Sequence, residues 1–294
     1  MILITAPTSQ IGTRVVDRLL ESGADLRLVT RDPSRLTDAV RERTDVIAGS
    51  HGDPEVMGRA AEGVDAVFWL SPNDASAPDL AATFVDFARP AARAFAESGV
   101  GRIVGISAIG RGTAWEKNSG CVTASLEMDD LFAESGIPYR AVVNPSFMDN
   151  VLNGVETIRE ENYFSLPVPA DLRAPTVATS DIADVTSRLL LDTGWTGFEE
   201  VGCLGPEDLT PEEMAATISE VIGREVEYRP TTPEAFRQRM VGFGMTEALA
   251  QGYSDMFQAK AEGMDSTLPR TAANTTPTTF RQFTEQLLAP AVGT

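Results

Sequence analysis

Three groups of residues in this chain have types and spacings that could do chemistry. Ala6, Ser9 and Gly12 fall at three-residue intervals around the turn Pro7-Thr8-Ser9-Gln10-Ile11-Gly12. Glycines at this spacing let a backbone approach a diphosphate, and the helix amides that follow face its negative charge. One glycine of the three remains here. Ala6 is a mild loss if its φ stays negative. Ser9 adds a side chain where a phosphate would approach, although its hydroxyl can also donate to a phosphate oxygen. The segment Thr8, Ser9, Gln10, Ile11 and Gly12 is the candidate diphosphate cradle; the alternative is a connection that only closes the fold. Arg31, with Arg35 four residues on, forms the second group. At the end of a second strand an acidic residue favours a free ribose 2′-hydroxyl, whereas arginine favours a 2′-phosphate. Two guanidiniums offer the planar forks that suit phosphate. The cofactor implied is NADP(H); the alternative is two solvated surface arginines.

The third group is Ser107, Cys121 and Ser125. Ser107 ends a fifth strand, at the sheet edge where a ligand crevice lies. Cys121 and Ser125 face the same crevice if a helix starts near Cys121; the plainer reading of Cys121 is a small buried residue. Bases are scarce. The chain has two lysines, Lys117 and Lys260, and a single histidine, His51. None of its four tyrosines (Tyr139, Tyr163, Tyr228 and Tyr253) has a lysine four residues later, so a lysine-activated tyrosine acid is missing. Lys117 reads as solvated in a loop, with a mobile loop over the site the alternative. Ser50 and His51 follow the third strand and read as adenine-side, with a plain surface position the alternative for His51. Cys121 and Cys203 show no metal-ligand or redox spacing, and no metal is expected.

These residues need elements to hold them. Apolar runs predict strands over 1–6, 24–30, 44–48, 66–70, 102–107 and 139–143. Helices are predicted between them: 14–22, 55–61, 80–98 with a kink or break at Pro90, and 122–135 ended by Gly136. Alternating strands and helices imply a Rossmann-like, doubly wound parallel sheet of the α/β class. Residues 163–175 read as a loop and short hairpin, 181–191 as a helix and 196–204 as another strand. Thr210-Pro-Glu-Glu starts a helix with a capping box. Residues 233–261 read as helical with an interruption near Gly242 and Gly244, 271–279 as a loop and 280–288 as a terminal helix. The domain expectation is a dinucleotide-binding domain over 1–150, with 176–205 returning to it. A smaller, mostly helical substrate lobe takes 151–294.

The net charge of −19 over 294 residues argues against nucleic-acid or anionic-membrane partners. No apolar run reaches membrane-spanning length and no secretory signal is read, so a cytoplasmic, reducing compartment is expected.

In order and spacing, several segments resemble the NmrA-like group of atypical short-chain dehydrogenases/reductases. The opening Ile2-Leu-Ile-Thr-Ala-Pro-Thr-Ser-Gln-Ile-Gly-Thr13 looks like a worn version of that family's glycine turn, and Thr30-Arg-Asp-Pro-Ser-Arg-Leu36 is similar to its NADP-selecting segment. Gly63-Val-Asp-Ala-Val-Phe-Trp-Leu-Ser-Pro72 resembles the fourth strand, whose end lies beside the nicotinamide ribose; the resemblance implies that role for Ser71, Pro72 and Asn73. Ser135-Gly-Ile-Pro-Tyr139, Asn144-Pro-Ser-Phe-Met-Asp-Asn150, Ser180-Asp-Ile-Ala-Asp184 and Gly205-Pro-Glu-Asp-Leu-Thr210 match later landmarks. Some family members carry a His or Lys in the helix before the glutamate matching Glu127; here Cys121-Val-Thr-Ala-Ser-Leu-Glu127 has neither.

Three readings of function follow. The first is an NADP(H)-dependent oxidoreductase passing hydride to a quinone or polycyclic aromatic compound, since such acceptors need little help from a protein acid. Aromatic polyketide tailoring is the context that resemblance implies. The second is a non-catalytic NADP(H)-binding sensor. The third is a cofactor-independent protein for an aromatic ligand, or a non-redox tailoring enzyme, on the same scaffold. Trp115, Phe147, Met148, Phe243 and Tyr253 are the candidate walls of a small-aromatic pocket, each also readable as packing. The Met- and Phe-rich stretch around Gly242 and Gly244 suits core or lid. A homodimer is left open.

Overall fold

The computed structural model describes residues 1–72 and 74–293; Asn73 lies outside the described residues. Strand β1 (Ile2–Thr5) is buried at every position and leads through the Ala6–Ser9 turn into helix α1 (Gln10–Glu21). The helix begins four residues before the expected Arg14. Ser9 supplies its N-cap, with Oγ accepting the Gly12 amide at 2.9 Å. Ile11, Val15, Val16, Leu19 and Leu20 form its buried stripe.

Strand β2 (Leu26–Thr30) follows, then a 3-10 turn at Pro33–Arg35, helix α2 (Asp38–Arg41), strand β3 (Asp45–Ala48), helix α3 (Pro54–Ala61) and strand β4 (Ala66–Trp69). The helix expected over 80–98 is two pieces, α4 (Leu80–Thr83) and α5 (Val85–Ser98). The break falls at Phe84, and α5 runs through Pro90. The expected break at Pro90 is therefore corrected: it falls six residues upstream, and the helix accommodates the proline. Strand β5 (Arg102–Ala108), helix α6 (Cys121–Glu134) and strand β6 (Tyr139–Asn144) complete this half.

The later half has shorter strands: β7 (Ser146–Phe147), β8 (Tyr163–Phe164), β9 (Ala174–Val177), β10 (Phe198–Gly202), β11 (Asp208–Leu209) and β12 (Glu227–Tyr228). Its helices are α7 (Val155–Glu161), α8 (Thr179–Leu191), α9 (Pro211–Ile222), α10 (Pro233–Gly242), α11 (Glu247–Ala261), α12 (Phe280–Phe283) and α13 (Ala289–Val292). Residues 163–175 form no hairpin. β8 pairs in parallel with β12, while β9 pairs with β11 antiparallel and with β7 parallel. Pro167 and Pro169 remove the amide donors a self-paired ladder would need. The Thr210–Glu213 capping box forms in both directions. Gly244, at φ +92°, follows the end of α10. The terminal helix is a composite, with a π-helical turn at Thr284–Leu288 between α12 and α13.

The chain divides into two compact units: Met1–Ala108 with Ala124–Val143 and Ile182–Val201, and Ile109–Thr123 with Asn144–Asp181 and Gly202–Thr294. Residues 109–123 and 144–150 therefore belong to the second unit. The first unit carries a seven-stranded parallel sheet in the order β10-β6-β5-β4-β1-β2-β3. The strand order reverses between β1 and β4, which opens a crevice beyond their C-terminal ends. Thr5 ties those two ends together: its hydroxyl donates to the Phe68 carbonyl at 2.9 Å and accepts the Leu70 amide at 3.1 Å. The second unit has its own core of Met148, Ile158, Phe164, Ile218, Phe280 and Phe283. No helix among the described residues is long and apolar enough to cross a membrane.

Candidate functional site

Parallel strands deliver their C-terminal ends to one edge. In the first unit that edge collects the Thr8–Gly12 turn after β1, Arg31 after β2, Ser50 and His51 after β3, Ser71 and Pro72 after β4, and Ser107 in the last turn of β5. The sequence-predicted cofactor residues thus share the crevice edge, apart from Arg35, which ends the 3-10 turn beyond Arg31, and the undescribed Asn73.

The turn is tighter than its composition implies. Ala6 sits at φ +49°, in the left-handed region, so the condition under which its loss of glycine is mild is not met. The strained conformation that glycine usually supplies is kept, at a cost of about 1 kcal/mol. Ser9 does not project toward a ligand. Its Oγ donates to the Ala6 carbonyl at 2.8 Å while capping the Gly12 amide, so the hydroxyl is engaged within the turn. A Cβ on Gly12 would run into the Ala6 carbonyl oxygen, which makes that surviving glycine obligatory. The first-turn amides of Gln10 and Ile11 have no partner within the helix and supply the positive end of its dipole. Arg31 and Arg35 are exposed and form no ion pair among the described residues. An anion-seeking turn with two uncommitted guanidiniums past β2 fits a dinucleotide bearing a 2′-phosphate.

His51 is buried, not on the surface. Its Nε2 lies 3.1 Å from the Leu70 carbonyl, and its ring meets Trp69 and Phe87 edge-on at 5.2 and 4.8 Å. Burial is the main cause that pushes its pKa down to about 4; the Leu70 hydrogen bond opposes this and Arg31 adds to it. The imidazole is neutral at pH 7 and braces the ends of β3 and β4. Ser50 Oγ accepts the Gly52 amide at 3.2 Å, and Ser71 Oγ lies 3.0 Å from the Met128 sulfur.

Ser107 is buried and donates to Asp129 Oδ2, with Ser125 Oγ 3.4 Å away. Tyr139 donates to the other oxygen, Oδ1, at 2.5 Å. Gly105 makes room for this, because a Cβ there would collide with the Tyr139 hydroxyl. Ser107 and Ser125 therefore do come together, but around a buried carboxylate that the sequence reading did not single out. The four-residue Ser125–Asp129 spacing, which places both on one helix face, was the available signal. Cys121 is buried and its thiol is pushed up to about 12, chiefly by desolvation. That removes it as a nucleophile at neutral pH.

The second unit holds a cleft of about 590 Å³ of empty space, part of it open to solvent. Phe147 lines it, together with Phe257 and Met214, and Lys260 and Asp265 stand in its wall. Of the other expected pocket residues, Met148 is 1% exposed within the core, and Phe243 is 79% exposed at the end of α10. Neither lines this cleft. Trp115 donates from Nε1 to Glu262 at 2.9 Å. Tyr253 is half-buried, its phenol pushed up to about 12 mainly by desolvation. Neither lines the cleft.

A chain with this sheet and this turn belongs to the NAD(P)H-binding family, whose model matches residues 7–193. It is 30% identical over 242 residues to a (4-alkanoyl-5-oxo-2,5-dihydrofuran-3-yl)methyl phosphate reductase of Streptomyces griseus, covering 82% of this chain and 80% of that one. It is 28% identical over 257 residues to an NAD(P)H azoreductase of Xenophilus azovorans, covering 87% and 86%. The solved NADPH complex of an NADPH-dependent quinone oxidoreductase from Escherichia coli superposes with a TM-score of 0.76 at 20% identity, covering 99% of this chain and 98% of that one. The family's cofactor class is NAD(P)H, and the named relatives are reductases.

Proposed function

We propose that the protein is an NADP(H)-dependent reductase of a quinone or polycyclic aromatic acceptor. The observation that carries this reading is the pair Arg31 and Arg35, beyond β2 and without an ion pair among the described residues, together with a turn that Gly12 lets close tightly on the Ala6 carbonyl. The amides of Gln10 and Ile11 would hold the diphosphate, and the guanidiniums the 2′-phosphate. Ser71 and Pro72 would border the nicotinamide ribose. When bound, the cofactor supplies a hydride. The buried Ser107–Asp129–Tyr139 cluster fixes the β5–α6–β6 edge that faces that chemistry.

An acceptor with low-lying conjugated carbonyls suits a chain without a lysine-activated tyrosine, because little acid assistance is needed. The relatives named for quinone and azo reduction support an acceptor of this conjugated kind. Aromatic polyketide tailoring is the context we favour. The test is oxidation of NADPH, followed at 340 nm, over a panel of benzo-, naphtho- and anthraquinones. Turnover with NADPH above NADH is expected. Saturable NADPH binding without oxidation across the panel would instead establish the sensor reading.

A further inference from the structure

Lys260 is one of two lysines in the chain, and it is 7% exposed. It sits near the end of α11, and its Nζ reaches Asp265 Oδ1 at 2.8 Å and Oδ2 at 2.7 Å. Asp265 is 2% exposed and also accepts the Ser146 amide at 3.0 Å and the Ser146 hydroxyl at 3.2 Å. The carboxylate is thus fully engaged. The ammonium is not: it carries three N–H donors, two are used on Asp265, and no third partner exists among the described residues. A buried ion pair costs desolvation that its attraction only partly returns. Apolar residues would close this wall more cheaply.

Both Lys260 and Asp265 line the cleft of the second unit. The rest of the lining is largely apolar: Phe147, Val168, Leu172, Met214 and Phe257 are among it. Phe257 is held in place by an edge-on contact with Phe236 at 5.0 Å. An apolar slot with a single charged donor in its wall selects a flat apolar molecule with an exposed acceptor oxygen. A carboxylate ligand is disfavoured, because Asp265 neutralises the site. A hydrocarbon is disfavoured, because it would leave the third N–H buried and unpaired.

We propose that this cleft binds a planar, quinone-type compound, and that the third N–H of Lys260 holds its carbonyl oxygen. Asp265 acts as a positioning residue: it locks the ammonium in the wall through Ser146. The choice of ligand class rests on the reductase reading above; the site itself rests on the cleft and the spare donor.

The test uses the full chain without cofactor and two probes, 1,4-naphthoquinone and naphthalene, titrated by calorimetry. The wild-type protein should bind the quinone roughly tenfold or more tighter than the hydrocarbon, the worth of one hydrogen bond from a charged donor. Lys260→Met alone would strand Asp265 in the wall and is expected to fold poorly. The double variant Lys260→Met/Asp265→Asn removes both charges. It should bind naphthalene at least as tightly as the wild type, the stranded donor being gone, and lose the preference for the quinone. Leu172→Trp, which fills the slot, should abolish binding of both probes and is the deciding variant if the double variant does not fold. A quinone preference that survives the double variant, or quinone binding that survives Leu172→Trp, overturns the assignment. NADPH oxidation separates the two claims. Lys260-dependent quinone binding with no oxidation sinks the reductase reading alone. Oxidation by the wild type, with quinone binding unchanged in Leu172→Trp, sinks the cleft alone.

Discussion

Ser9 Oγ accepts the Gly12 amide at 2.9 Å, so the serine that replaces a glycine in the phosphate turn is spent on capping α1. Its side chain is folded into the turn, and the diphosphate face stays backbone. Ser9→Ala should lower the stability by about 1 kcal/mol through loss of the cap, and Ser9→Gly by only a few tenths. Urea midpoints check this. NADPH affinity should survive Ser9→Gly; a serine that contacted phosphate would lose affinity with either change.

The buried imidazole of His51 makes stability depend on pH. Its folded pKa is depressed to about 4 from an ordinary 6.5. Between those values the unfolded chain binds a proton that the folded chain does not. The contribution is therefore fully present above pH 6.5 and is lost as pH falls toward 4, by roughly 3 kcal/mol. His51→Phe, which keeps the ring edge against Trp69 and Phe87, should flatten the urea midpoint over that window. An equally steep loss of stability in the variant would show that other groups carry it.

Tyr139 supplies one of the donors to the buried Asp129 carboxylate. Tyr139→Phe deletes that donor without changing the packing against Phe132 and Phe198. A destabilisation of roughly 1–3 kcal/mol is expected, the range for a buried acceptor that loses a partner. Gly105→Ala should act in the same direction by displacing the phenol hydroxyl. Chemical denaturation of both variants checks the prediction.

Much of the fold is legible because its strands are fully buried. Ile2–Thr5, Ala66–Trp69 and Tyr139–Asn144 are mostly apolar runs buried at every position that alternate with helices along the chain, and that pattern has few other solutions. The start of α1 was hidden because Ser9 fits two roles, phosphate contact and N-cap, and only coordinates show which one its hydroxyl takes. Pro90 marked the right helix but the wrong residue, because α5 runs through the proline and the break falls at Phe84. Along the crevice edge, Arg31 could be placed from its position after a strand. Lys260 could not: nothing local tells a buried lysine from a solvated one, and solvated is the rule. Its partner Asp265 lies beyond the turn at Gly263, whose left-handed φ of +96° brings the chain back toward α11. Phe243 reads as a pocket wall by type, but the end of α10 at Gly242 leaves it in solvent.

The central claim is that a 2′-phosphorylated dinucleotide docks against Arg31. Titrating the wild-type protein and Arg31→Ala with NADPH and with NADH, following nicotinamide fluorescence, tests it most directly. The account predicts saturable NADPH binding by the wild type, a loss of roughly tenfold or more in Arg31→Ala, the worth of a charged hydrogen-bonded contact, and little change for NADH. Equal losses for the two dinucleotides, or no NADPH binding by the wild type, would contradict it.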